Sequence, residues 1–236
     1  MNKTASADPI PLYRPDLTHR DEQAVLLQIE RAPFRDDAQL LRWEAAWSDL
    51  WERPAVAFGD HQEPVRLLKT ILGWRSGDVV EGDLLLDPVW REALESSWLH
   101  LGVRDVDGVT GQAVGECPIP PDSGILQAVL MQHPFGLPTP QPARDIWILE
   151  EISALLRPIK GCGDGAIQLL NLEGPRILPV GIGCVLLSRD QGLMDQLAQL
   201  RRYPPSGTAC ALGLSQLAGL MQRLQRRQEL AERYLT

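Results

Sequence analysis

Short apolar runs that recur between helix-like segments constrain this chain more than any other feature. Ala55 to Phe58, Leu126 to Gln132, Ile146 to Glu150, Ala166 to Leu172 and Gly183 to Ser188 read as buried strands, the last two at a spacing that fits adjacent neighbours. Asp21 to Ala32 and Asp36 to Trp51 read as leading helices, and Glu63 to Trp74 as a helix that follows the first strand. Asp87-Pro88 opens another, with Asp at the N-cap and Pro at the first helical position, expected to run to Leu101 before a strand from Gly102 to Asp107. After Asp190 the chain turns helical, breaks at Tyr203-Pro204-Pro205-Ser206-Gly207 and resumes as one long helix from about Thr208 to Tyr234. The order predicts an α/β fold with a mostly parallel central sheet flanked by helices. One domain is expected over residues 1–236: a helical lead-in at 1–52, an α/β core at 53–190 and C-terminal helices at 191–236.

Composition narrows the function classes. At 236 residues and 44% hydrophobic content the chain can bury a core. The opening residues hold no apolar signal segment, and no run approaches the roughly 18 apolar residues of a membrane span, so a cytoplasmic protein with no membrane partner is expected. A net charge of −8 opposes phosphate-backbone binding and excludes nucleic acid as a partner. Cys117, Cys162, Cys184 and Cys210 show neither a Cys-x-x-Cys pair nor histidine at ligand spacing, which reads as four buried thiols with no metal site and no disulfide framework. Only three of the 23 basic residues are lysines: Lys3, Lys69 and Lys160.

Trp43, Trp47 and Trp51 fall on one helix face, as core or as a partner surface. Gly161-Cys162-Gly163-Asp164-Gly165 precedes a strand instead of linking a strand to a helix, so it does not read as a nucleotide loop. His61 and His133 read as hydrogen-bonded structural residues ahead of catalytic bases.

Four segments together resemble the DegT-type sugar aminotransferases, pyridoxal-phosphate enzymes of the aspartate-aminotransferase fold. Ile10-Pro11 with Arg14-Pro15 is similar to the family's N-terminal motif, Trp43-Glu44 with Trp47 to its aromatic pair, and His133-Pro134-Phe135-Gly136 to its turn after a central strand. The tail is the most specific: Ala211-Leu212-Gly213-Leu214-Ser215-Gln216-Leu217, with Leu220, Arg226-Arg227, Ala231 and Tyr234, tracks the family pattern. The resemblance implies the large domain of that fold, with the small C-terminal domain absent, and a dimer with active sites at the subunit boundary.

Against that pattern the pocket looks degenerate. The family's Ser falls at Leu169 and its Schiff-base lysine at Gly174, and neither Gly174 nor its neighbours Glu173, Pro175 and Arg176 can supply an amine nucleophile. The family's phosphate-binding Ser-Gly-Thr is replaced near Asp60-His61-Gln62-Glu63, which is expected to set two carboxylates against an anion. The pyridine-nitrogen carboxylate maps to Glu151, and Leu84-Leu85-Leu86 stands where the family stacks an aromatic ring. The expectation is a protein with no catalytic, cofactor-binding or metal residues, in which Asp60, His61, Gln62, His133, Glu151, Leu169 and Gly174 mark the relic of a pocket. Pyridoxal phosphate, implied by the family, is not expected to bind. A homodimer, or a heterodimer with an active aminotransferase relative, is the expected assembly. Two other readings stay open: an enzyme acting on an amino- or keto-sugar that recruits Lys160 or works without a covalent cofactor, and a scaffold or regulator in a sugar or cell-envelope pathway.

Overall fold

Strands that are apolar on both faces must be covered on both, and here they lie between two helical layers. The computed structural model describes residues 16–31, 35–117, 119, 122–142, 145–159, 162, 164–173, 177–178, 180–181 and 183–235. The segment from Ile10 to Pro15, Lys3, Lys160 and Gly174 lie outside them.

Two helices lead in, α1 (His19–Arg31) and α2 (Asp37–Trp51), followed by β1 (Ala55–Phe58), α3 (Gln62–Ile71), β2 (Val79–Asp83), α4 (Pro88–Ser96), β3 (His100–Val106) and the two-residue β4 (Ala113–Val114). Then come β5 (Leu126–Gln132), β6 (Trp147–Glu151), β7 (Ile167–Asn171), β8 (Cys184–Leu187), α5 (Gln191–Leu200), α6 (Gly207–Ala218) and α7 (Leu220–Leu235). The strands form one sheet in the order β1-β8-β7-β6-β5-β2-β3-β4. From β3 to β7 across the sheet the pairing is parallel, β8 runs antiparallel to both β7 and β1, and β4 closes the far edge antiparallel to β3.

Side chains alternate between the layers. Val56 and Phe58 pack with Val65, Leu68, Trp90, Leu94, Leu130, Leu149, Leu186 and Leu197, on the side of α3, α4 and α5. Ala55 and Ala57 face the other way, into a core with Trp43, Trp47, Trp51, Leu170, Val185 and Cys210. The tryptophan stripe is therefore core: Trp43 and Trp47 are buried and meet edge to face at 5.3 Å. Gly213 on α6 lies against Trp43, where a Cβ would come within 2.7 Å of the indole ring. The glycine of the tail motif thus makes room for the aromatic one of the lead-in motif.

β1 is an edge strand, and its outward backbone is closed by an ion pair. Glu44 Oε1 accepts from Ala57 N at 2.8 Å, and Arg201 Nη1 donates to that carboxylate and to Ala57 O, the latter at 2.6 Å. Gly59 N continues the line by donating to Tyr203 O at 2.7 Å. The edge that could template another strand is thereby spoken for.

Three expected helices end differently. The helix expected to reach Trp74 stops at Ile71, with Gly73 at φ 71° just beyond. The one expected to reach Leu101 stops at Ser96, because Trp98 turns left-handed at φ 59° and lets β3 begin at His100. The single tail helix is two, divided at Gly219, and Arg223 donates across the break to Gln216 O. Cys117 is partly exposed and the other three cysteines are buried, so the expectation of four buried thiols holds for three; no disulfide joins any of the four. Among the described residues no helix is long and apolar enough to cross a membrane.

The parallel crossovers are unequal. α3 and α4 fill the first two, whereas β3 to β5, β5 to β6 and β6 to β7 are joined without an α-helix among the described residues, the β5 to β6 connection holding only the 3-10 turn Pro134–Gly136. Pro134, Pro138, Pro140 and Pro142 explain the second of these, since each removes an N–H and disfavours helix in its predecessor.

Candidate functional site

In an open α/β sheet the carboxyl ends of parallel strands gather polar side chains into a crevice. Here β1 delivers Asp60 and His61 just past its end, β6 ends on Glu151, β7 ends on Asn171 and the antiparallel β8 starts beside them at Cys184. A cleft of about 360 Å³ opens there, lined by Gly59, Asp60, His61, Gln62, Val89, Glu92 and Glu173.

Asp60 turns back onto the start of α3. Its Oδ1 accepts from Gln62 N at 2.8 Å and Glu63 N at 2.7 Å, the first amides that a helix N-terminus would offer to an anion. Glu63 does not join it. Its buried carboxylate accepts from Arg202 N at 2.7 Å and Tyr203 N at 2.9 Å, pinning α3 to the loop before α6. The two carboxylates expected against an anion are thus one, and that one occupies the anion's place.

His61 is buried, with Trp90 edge-on at 5.1 Å. Its Nε2 lies 2.8 Å from Asn171 Oδ1. The Asn171 amide is oriented by its other bonds: Nδ2 donates to Asp87 Oδ2 at 2.9 Å, and Oδ1 accepts from Glu173 N at 2.7 Å. The imidazole therefore donates through Nε2, and Nδ1 faces Glu173 Oε2 at 3.4 Å. Burial lowers the His61 pKa, against the opposing pull of Asn171, Glu173, Asp87 and Asp60.

The other expected positions are dispersed. Glu151 is buried and its Oε1 accepts from both the backbone N–H, at 3.2 Å, and the hydroxyl of Ser153, whose Oγ in turn accepts from Asn171 N at 2.6 Å. His133 stands next to Glu150 and away from the cleft: Nδ1 accepts from Thr139 N at 3.1 Å, which leaves the ring proton on Nε2 for Glu150 Oε1 at 2.8 Å. Leu169 is core, packed with Leu149, Ile167 and Leu186. Of Leu84-Leu85-Leu86 only Leu86 turns inward. Gly174 lies outside the described residues. The structure thus brings Asp60, His61 and Gln62 together at the cleft, and adds Asn171, Asp87, Ser153 and Glu173, which the sequence reading had not placed among the site residues. The signal for Asn171 and Glu173 was available: each is polar and follows an apolar strand at the edge where crevices form.

Of the three lysines, Lys69 is the one among the described residues, and it is far from the cleft. It sits seven residues into α3, about 10 Å along the axis from Gln62. Its Nζ donates to Ser76 Oγ at 2.9 Å and Ser97 O at 2.6 Å, beside the start of β2 and β3. No group of three or more histidine, cysteine or acidic residues among the described residues is placed to hold a metal ion.

No protein-family model matches the sequence, and no curated protein matches it. Solved structures do match. The aminotransferase TlmJ from Streptoalloteichus hindustanus superposes with a TM-score of 0.77 over 96% of this chain and 70% of its own, at 20% identity. The sugar aminotransferase CalS13 from Micromonospora echinospora gives 0.79 over 96% and 72%, at 17%. The E. coli GDP-4-keto-6-deoxy-D-mannose-3-dehydratase, solved with bound hydrated PLP, gives 0.74 over 96% and 72%, at 14%. The chain has the fold of the sugar aminotransferases, as its sequence motifs imply, and at these identities the likeness establishes the fold alone.

Proposed function

We propose that this chain is a non-catalytic, dimeric assembly or regulatory subunit on the aminotransferase fold, cytoplasmic, without a Schiff-base lysine or a phosphate cradle. The observation that carries the reading is Asp60 on the Gln62 and Glu63 amides. A phosphate seeking those donors would meet a carboxylate at about 4 Å, a repulsion of about 4 kcal/mol at an effective dielectric of 20, or roughly a thousandfold in affinity. Glu92 and Glu173 add further negative charge to the same cleft. Glu151, where a pyridine nitrogen would need a carboxylate, accepts from Ser153 instead. The residues present do not fit pyridoxal phosphate. Partners of the proposed subunit are a second copy or an active aminotransferase relative.

The test is a titration of the purified protein with pyridoxal phosphate followed by absorption, then borohydride reduction and mass spectrometry of the lysine peptides. The expected outcome is no saturable imine band and no adduct. A saturable band trapped on Lys160 would overturn the proposal and establish an enzyme with a relocated lysine.

A further inference from the structure

We propose that a cavity walled by Asp83, Gln112, Met131 and Thr139 is a binding site for a small primary amine in its ammonium form, held by the Asp83 carboxylate. The site lies on one face of β2 and β5. β2 is five strand spacings from β1 in the sheet, about 24 Å from the cleft at Asp60 and His61, and the two sites share no lining residue.

The cavity follows from how the sheet is covered. Val80 packs into the core under α3, α4 and α5, so Glu81 and Asp83 project from the opposite face. On that face the tryptophan core takes side chains from β1, β7 and β8, and among the described residues none from β2, β3 or β5. Cover over β2 and β5 comes instead from β4 and from Thr139, Pro140 and Pro142, and a space of about 250 Å³ remains beneath them. Drug-sized ligands occupy roughly 300–1,000 Å³, so this one suits a smaller molecule.

One charge in the cavity is left without a counter-ion. Asp83 is 5% exposed, and its Oδ1 accepts from Leu85 N at 2.9 Å and from Gln132 Nε2 at 2.7 Å. Among the described residues nothing donates to its Oδ2, and no ion pair reaches it. The Arg104 guanidinium is committed to Glu81, Nε to Oε1 at 3.0 Å, and is the weakest of the influences on Asp83. Burial is the strongest, and it raises the Asp83 pKa. Sinking a carboxylate into a fold without a counter-ion is costly, and a bound cation would relieve that cost.

Two more acceptors line the same space. Thr139 Oγ1 is buried and has no hydrogen-bond partner among the described residues. Gln112 Nε2 donates to Pro138 O at 3.2 Å, and its Oε1 has no partner among the described residues. With Asp83 Oδ2 these make three oxygens, matching the three N–H donors of a primary ammonium. Val129, Met131, Pro140 and Pro142 offer apolar surface to a short alkyl stem. An anion would meet the Asp83 charge, a neutral alcohol would leave it uncompensated, and an inorganic cation would leave the apolar wall without contact.

Calorimetric titration of the purified protein with butylammonium chloride provides the test, with butanol and potassium chloride as the matched neutral and inorganic probes. Butylammonium, with about five non-hydrogen atoms, is expected to bind one site with a Kd of about 1 mM, and the two control probes are expected not to bind. Asp83→Asn should weaken butylammonium about tenfold or more, as loss of a charged hydrogen-bond partner does. Thr139→Val removes a hydroxyl that has no partner in the free protein, so it should leave the melting curve unchanged and still weaken butylammonium about threefold or more. Circular dichroism shows whether Asp83→Asn folds; if it does not, Thr139→Val decides. No heat of binding in wild type up to about 50 mM would overturn the site, as would equal binding to wild type and Thr139→Val. Potassium that binds alone and displaces butylammonium would overturn the amine as its ligand.

Discussion

Replacing Glu44 with alanine should cost the protein about 3–5 kcal/mol of stability, the usual result of removing one partner from a buried ion pair. Glu44 is buried and Arg201 nearly so, their side chains 11% and 10% exposed. The loss has two parts. Ala57 N loses its acceptor on the outer edge of β1, and the Arg201 guanidinium, which also lies 5.9 Å from the centre of the Phe58 ring, keeps its charge without a counter-ion. For a chain of this size each kcal/mol moves the melting temperature by about 2–4 °C, so a fall of about 10 °C is expected. Glu44→Gln keeps an acceptor for Ala57 N but not the charge, and should fall between. Urea unfolding followed by circular dichroism and tryptophan fluorescence measures the effect. Because the two residues share Ala57, Glu44→Ala and Arg201→Ala together should be less damaging than the sum of the single changes, with a coupling of about 1–3 kcal/mol. A Glu44→Ala loss below about 1 kcal/mol, or simple additivity, would refute the assignment of this pair to the edge of β1.

Gly213→Ala forces a methyl into the space held by the Trp43 ring and should destabilise by about 1–3 kcal/mol, with a shifted tryptophan emission; an unaltered melting curve would contradict the packing. The lowered His61 pKa sets a direction with pH. As pH falls below the ordinary value of 6.5, the unfolded chain takes up a proton before the folded one does, so stability is full above that value and declines below it, by at most about 1.4 kcal/mol per pH unit. In His61→Gln that component is missing, and the decline between pH 7 and 5 should be shallower than in wild type; parallel curves would rule it out.

Strands bounded by glycine or proline were legible to the residue: Ala55 to Phe58 stops at Gly59, and Leu126 to Gln132 stops before His133-Pro134. Helix ends were less so, because the left-handed turn at Trp98 is held by backbone bonds, Leu99 N to Leu94 O and Gly77 N to Trp98 O, and carries no glycine to announce it. In the cleft, the sequence resemblance located Asp60 and His61, but it set Asp60 and Glu63 together against an anion, whereas Asp60 alone takes the first amides of α3 and Glu63 turns to Arg202 and Tyr203. Asn171 could not be read as the hub, because its partners His61 and Asp87 lie 110 and 84 residues away in sequence. Such pairings exist only once the sheet order is set.

The three crossovers without an α-helix shape how the chain reaches this state. Between β1 and β3 each strand is followed by a helix that can form locally and dock. From β3 to β7 the strands must find their parallel neighbours with no α-helix among the described residues to shorten the search, so loop closure comes before any compensating contact. Assembly of the sheet should therefore proceed from the β2 and β3 pair, with β6 and β7 joining late and the antiparallel β8 completing the order by bringing in β1 at the opposite edge. Mutations that weaken β6 and β7 would then speed unfolding more than they slow folding. The cleft, which lies between β1 and β7, would be the last part of the molecule to exist.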